Sequence, residues 1–144
     1  MLEQVAFGSV LMLITTAIHA TCTAAVLRAL RRRHAGAWAG RSAVRGVSLI
    51  SLVVLMMFLA SLLEAGLWAS VYLATGAIAD LETALYFSTV TFTTLGYGDV
   101  TLDANWRLLA SVQAANGTVM FGWTTAIVMA VIHRMAAKHA AAET

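Results

Sequence analysis

Three long apolar runs, separated by polar segments, set the pattern of the chain. The first, between Glu3 and Arg28, reads QVAFGSVLMLITTAIHATCTAAVL and holds no charge. The second runs from Gly46 to about Thr75, interrupted once by Glu64, and the third from Leu108 to His133. At ~1.5 Å of rise per residue, each is long enough to cross a ~30 Å hydrocarbon core as a helix. Between the second and third runs lies a shorter segment, residues 81–92. Asp80 suits its N-cap and Glu82 suits the positive end of its first turn. About three turns cannot span a bilayer, which takes at least ~17 residues. The pattern predicts an all-α membrane protein: three transmembrane helices, with a re-entrant helix and loop between helices 2 and 3.

Composition supports a membrane solvent. Of 144 residues, 60% are hydrophobic and 11% charged, and the mean hydropathy is +0.82, too apolar for a small soluble domain. A cleaved leader would open on basic residues; Glu3 stands there instead, and the run is long for a leader, so a spanning helix is expected.

Charge placement gives orientation. Arg28, Arg31, Arg32, Arg33, Arg41 and Arg45 lie between the first and second runs, and Arg134 and Lys138 follow the third. By the positive-inside rule both regions are cytoplasmic, the N-terminus is outside, and so is the 76–106 connection with Asp80, Glu82, Asp99 and Asp103. The expected location is the plasma membrane (the bacterial inner membrane), multi-pass. The basic segment RALRRRHAGAWAGRSAVR is interrupted by glycines, so it reads as a topology-setting loop touching anionic lipid rather than a voltage sensor. The pI of about 9.1 then implies no nucleic-acid partner. Trp68, Tyr72 and Trp106 suit an outer aromatic belt. A lone Cys22 permits no intrachain disulfide, and no nucleophile–base set or ligand cluster suggests an enzyme.

The segment TTLGYGDV, residues 93–100, follows the short helix. Two glycines around a tyrosine favour backbone conformations that side chains disfavour. Irregular backbone at membrane depth is tolerated only when buried in protein or lining a watery path. A pore is therefore expected here.

TTLGYGD resembles the signature of potassium channels, a family that also serves as the general illustration of carbonyl-ring selectivity. The flanking pattern is similar too, with ANGTVMFG in the third run resembling the glycine-hinge segment of simple bacterial channels. The resemblance covers residues 46–133: outer helix 46–75, pore helix 81–92, filter 93–99, inner helix 106–133. Residues 1–30 form an added N-terminal helix, 31–45 the basic loop and 134–144 a short tail.

This resemblance implies a homotetramer, because one loop cannot close a ring. It implies a filter of Thr94, Leu95, Gly96, Tyr97 and Gly98. Dehydrated potassium would sit on oxygens from Thr94, Leu95, Gly96 and Tyr97, and no other cofactor is implied. Thr93, Asp99, Tyr86 and Glu64 would support the filter, with Asp99 drawing cations to the outer mouth. Thr118, Gly122, Thr125 and Met129 share one helical face and would line a cavity, or the threonines would bond their own helix. Gly117 matches the hinge glycine or serves close packing.

The sequence also departs from the family pattern. Leu95 stands where valine or isoleucine is usual, and Val90 where several channels place a glutamate behind the outer aspartate. Tyr86 is placed to reach Asp99 instead. Glu64 is expected behind the pore helix on Ser88 or Thr89, or else at the outer headgroups. Gln113 and Asn116 are expected to bond between helices, and His19 to pack between helices rather than to sense protons. Met129 and Ile132 could narrow the inner mouth, and His133 and His139 could gate it by like-charge repulsion. The implied function is passive, potassium-selective conduction. The rival readings are a weakly selective monovalent cation channel and a non-conducting adaptor.

Overall fold

The computed structural model describes residues 2–32 and 43–140. Much of the basic loop, with Arg33 and Arg41, lies outside the described residues. So do the side chains of Arg31, Arg32, Arg45, Lys138 and His139. The lipid contact expected of the loop and the gating role expected of His139 fall there.

Four helices make up the described chain: α1 (Leu2–Arg32), α2 (Ala43–Ala74), α3 (Leu81–Phe92) and α4 (Arg107–Ala140). Within them, Leu2–Leu30, Gly46–Ala74 and Arg107–Ala137 are long and apolar enough to cross a membrane. The described residues thus hold three helices fit to cross a membrane and no strand. α2 starts at Ala43, before the expected residue 46, and α4 runs to Ala140, past the expected residue 133.

The interhelical contacts fix direction. The Gln4 amide donates to the Asn105 carbonyl, just before α4. Further along, Thr15 meets Asn116 and His19 meets Thr124. α1 therefore runs parallel to α4. Against α2 the pairing reverses: His19 meets Glu64, while Val26 and Leu30 cluster with Val53 and Met57. The Leu2, Ala74 and Arg107 ends consequently share one side of the bundle, with α3 and its loops.

In lipid, apolar burial gives little drive for helix association, so close packing and interhelical hydrogen bonds hold the bundle. Gly8 supplies a close approach: a Cβ there would press on Val112 and Leu109 of α4. The larger core cluster gathers Trp68, Tyr72, Phe87, Phe92, Leu109 and Met120 around α3. Here the aromatic-belt expectation is corrected. Trp68 and Tyr72 are fully buried and do not face headgroups. Tyr72 looks at α3 and α4, where its ring stacks edge-on against Phe87 at 5.3 Å and its hydroxyl donates to Gln113.

α3 forms for local reasons. Asp80 is extended (φ −123°, ψ 153°) and its carboxylate accepts from the Thr83 N–H at 2.9 Å. Gly76, at φ +69°, turns the chain away from α2. At the other end Thr94 takes φ +59° and stops the helix.

Candidate functional site

Beyond α3, residues Thr94, Gly96 and Gly98 take φ of 59°, 56° and 79°, whereas Leu95 and Tyr97 do not have positive φ. Left-handed backbone suits glycine and is costly for a β-branched threonine. Alternation of handedness gathers successive N–H groups on one side of the chain and leaves the carbonyls to the other.

The hydrogen bonds follow that division. The N–H groups of the loop turn back onto the last turn of α3. Thr93 N–H donates to Thr89 O at 3.0 Å and Thr94 N–H to Thr91 O at 3.0 Å. Leu95 and Gly96 N–H both donate to Val90 O, at 3.0 and 3.3 Å. The Thr93 hydroxyl reinforces this with a 2.8 Å bond to Thr89 O. Among the described residues, no donor reaches the carbonyls of residues 94–98. Leu95 and Tyr97 are exposed, at 56% and 67% of their surface in the single chain.

The far end of the loop is tied by a side-chain bond. The Tyr86 hydroxyl donates to Asp99 Oδ2 at 2.6 Å. That bond holds the Asp99 carboxyl below the usual carboxylate range and pushes the Tyr86 phenol up. Behind the loop lies a recess of about 330 Å³, bounded by Tyr86, Val90, Gly98, Asp99, Leu102 and Ala110.

Glu64 is not where the sequence reading put it. It is fully buried, so it does not face headgroups, and it bonds neither Ser88 nor Thr89. Its side chain points at α1, where Oε1 lies 2.8 Å from His19 Nδ1. The next residue, Ala65, faces α3 and offers its carbonyl to the Ser88 hydroxyl at 2.6 Å. One helical step separates the two faces, and that step is what the sequence reading missed. His19 is correspondingly more than a packing residue. Its Nε2 lies 3.2 Å from the Thr124 hydroxyl, and its ring meets Trp123 edge-on at 5.7 Å.

A second polar cluster sits behind α3. Gln113 Nε2 donates to Ser88 Oγ at 2.7 Å and Ser88 O at 3.1 Å, while Gln113 Oε1 accepts from Tyr72 at 2.7 Å. Asn116 Nδ2 donates to Thr15 Oγ1 at 2.7 Å. Isolated amides and hydroxyls in apolar runs signalled such bonds, but the partners depend on helix register.

On α4, Gly117 is buried against the end of α3: a Cβ there would collide with the Phe92 carbonyl. This geometry gives Gly117 a close-packing role. Thr118, Gly122, Thr125 and Met129 all lie exposed on the single chain. Thr118 and Thr125 donate to their own helix, to Ala114 O at 3.1 Å and Phe121 O at 2.9 Å. Ile132 and His133 are exposed near the same end.

No curated protein and no solved structure matches this chain. A family model described as an ion channel matches residues 49–134, more than half of the sequence, from α2 through α3 and the glycine loop into α4. The chain therefore belongs to the ion channel family.

Proposed function

We propose that the protein is a potassium-selective channel that conducts passively as a homotetramer, with residues 94–98 as its filter. One observation carries this reading: the N–H groups of residues 93–96 are spent on α3, while the carbonyls of residues 94–98 accept nothing within the described chain. Such oxygens can replace the hydration shell of a monovalent cation. Four copies about one axis supply the rings that one copy cannot. The exposed Leu95 and Tyr97 and the recess behind the loop are surfaces that a neighbouring copy would cover.

In this arrangement α3 is re-entrant, and the partial negative charge at its C-terminal end favours a cation on the axis. Asp99, held ionised by Tyr86, draws cations to the outer mouth. Thr118, Gly122, Thr125 and Met129 face the cavity below, and Gly117 keeps α4 against α3. The arginine-rich side is cytoplasmic in the plasma membrane, where Arg28, exposed at the end of the α1 span, meets anionic lipid together with the basic loop.

Vesicles carrying the purified protein and a potassium or sodium gradient test the reading. Potassium flux exceeding sodium flux and blocked by barium is expected, from an assembly with the mass of four chains. Equal fluxes would favour a weakly selective cation channel. An intact assembly without flux would favour an adaptor.

A further inference from the structure

The conduction reading rests on the filter loop, yet among the described residues the loop's only backbone anchors are carbonyls in the last turn of α3, those of Thr89, Val90 and Thr91. Whatever fixes that turn fixes the filter. Ser88 opens the turn, is fully buried, and is held from two directions. Its hydroxyl donates to Ala65 O of α2 at 2.6 Å and accepts from Gln113 of α4 at 2.7 Å. The same amide also donates to Ser88 O at 3.1 Å. One turn further along α4, Gly117 abuts the Phe92 carbonyl. Gln113 and Gly117 are four residues apart, so one face of α4 grips both ends of this turn.

We infer that Gln113 is a positioning residue for selectivity: through Ser88 it sets the depth and rotation of the α3 turn from which the filter hangs. The inference rests on the channel reading above. The chemistry favours an amide at this position. Gln113 must donate toward α3 and accept from Tyr72 of α2 at once, and a neutral amide does both without a buried charge. Its aliphatic stem is carried by the fully buried stripe that includes Leu109 and Met120, so the head group has little freedom. The Tyr72 hydroxyl orients the amide and bonds nothing on α3, and Tyr72→Phe keeps the ring that packs on Phe87, which separates two roles. Loss of Tyr72's hydroxyl removes a stabilising bond; loss of Gln113's donors releases the turn.

The test measures potassium and sodium flux, barium block and thermal stability of the assembly, in wild type, Gln113→Met and Tyr72→Phe. In Gln113→Met the potassium-to-sodium flux ratio should fall about tenfold, with barium block weakened, roughly the change one net hydrogen bond represents. Tyr72→Phe should lower the midpoint of unfolding while leaving ratio and block as in wild type. Gln113→Met with wild-type ratio and block overturns the inference, even if its stability drops. If Gln113→Met does not assemble, Ser88→Ala gives the second route. It removes the two hydroxyl bonds at almost constant volume and should give an intermediate loss of discrimination; an unchanged ratio there also overturns the inference. Wild type without potassium-selective flux fails differently, since it removes the channel reading on which the inference stands.

Discussion

Replacing His19 with leucine tests how α1 is attached to the rest of the bundle. His19 and Glu64 are both fully inaccessible, and the 2.8 Å contact between them is the one hydrogen bond Glu64 makes with its side chain among the described residues. Among the described residues Oε2 already lacks a partner, so His19→Leu leaves the whole carboxyl group without a bond there. Orphaning a buried polar group costs about 1–3 kcal/mol. Thr124 loses a 3.2 Å contact but can turn its hydroxyl to its own helix, which costs little. Interhelical hydrogen bonds in membrane proteins average only ~0.6 kcal/mol in double-mutant cycles, because the separated helices also find partners. The orphaned acid should outweigh that average, and the expected destabilisation is on the order of 2–3 kcal/mol. The paired variant His19→Leu with Glu64→Leu removes both groups and should recover most of the loss, as apolar replacement of a buried pair is often neutral. Glu64→Gln keeps an acceptor and should cost about 1 kcal/mol or less. The assay is unfolding of the purified protein by increasing SDS in mixed micelles, followed by far-ultraviolet circular dichroism, with wild type, Glu64→Gln and the cycle of His19→Leu, Glu64→Leu and their double variant. A double variant no more stable than His19→Leu would refute the reasoning, because the loss would then come from packing and not from an abandoned carboxyl.

Other positions give sharper local tests. Gly117→Ala drives a methyl into the Phe92 carbonyl, so α3 and α4 must separate; a loss of about 1–3 kcal/mol is expected in the same unfolding assay. Gly122 has open space around it, and Gly122→Ala should leave stability within about 0.5 kcal/mol of wild type in that assay. The Tyr86–Asp99 bond gives a pH dependence. Asp99's folded-state acidity is strengthened, so the bond's contribution is present above the ordinary carboxyl value of about 4 and is lost as pH falls through the lowered one. On the alkaline side the raised Tyr86 phenol keeps the bond past the ordinary value of about 10, until pH passes the raised value. Tyr86→Phe should therefore move the acid limb of the flux–pH profile to higher pH; an unmoved limb would show that Asp99 does not control it.

The parts legible in the sequence are those that depend on local chemistry. Apolar length dictated α1, α2 and α4. Asp80 dictated where α3 starts, and the glycines of residues 96 and 98 dictated the irregular loop after it. Even the Tyr86–Asp99 bond was within reach, since both residues belong to one short helix and the loop it feeds. What the sequence left open depends on helix rotation. Glu64 and Ala65 are neighbours, yet one faces α1 and the other faces α3, and no periodicity in a uniformly apolar helix says which. Trp68 misled for the same reason: its composition suits an interface, but it lies four residues from Glu64 on a face that is covered. Polar residues in such helices announce that a partner exists, because an unpaired one is costly. They do not name the partner. α1 carries Thr15 and His19, one turn apart, and α4 carries Asn116 and Thr124 opposite them. The first helix is thus joined to α4 itself, and any displacement of α4 must carry α1 with it or break these two bonds.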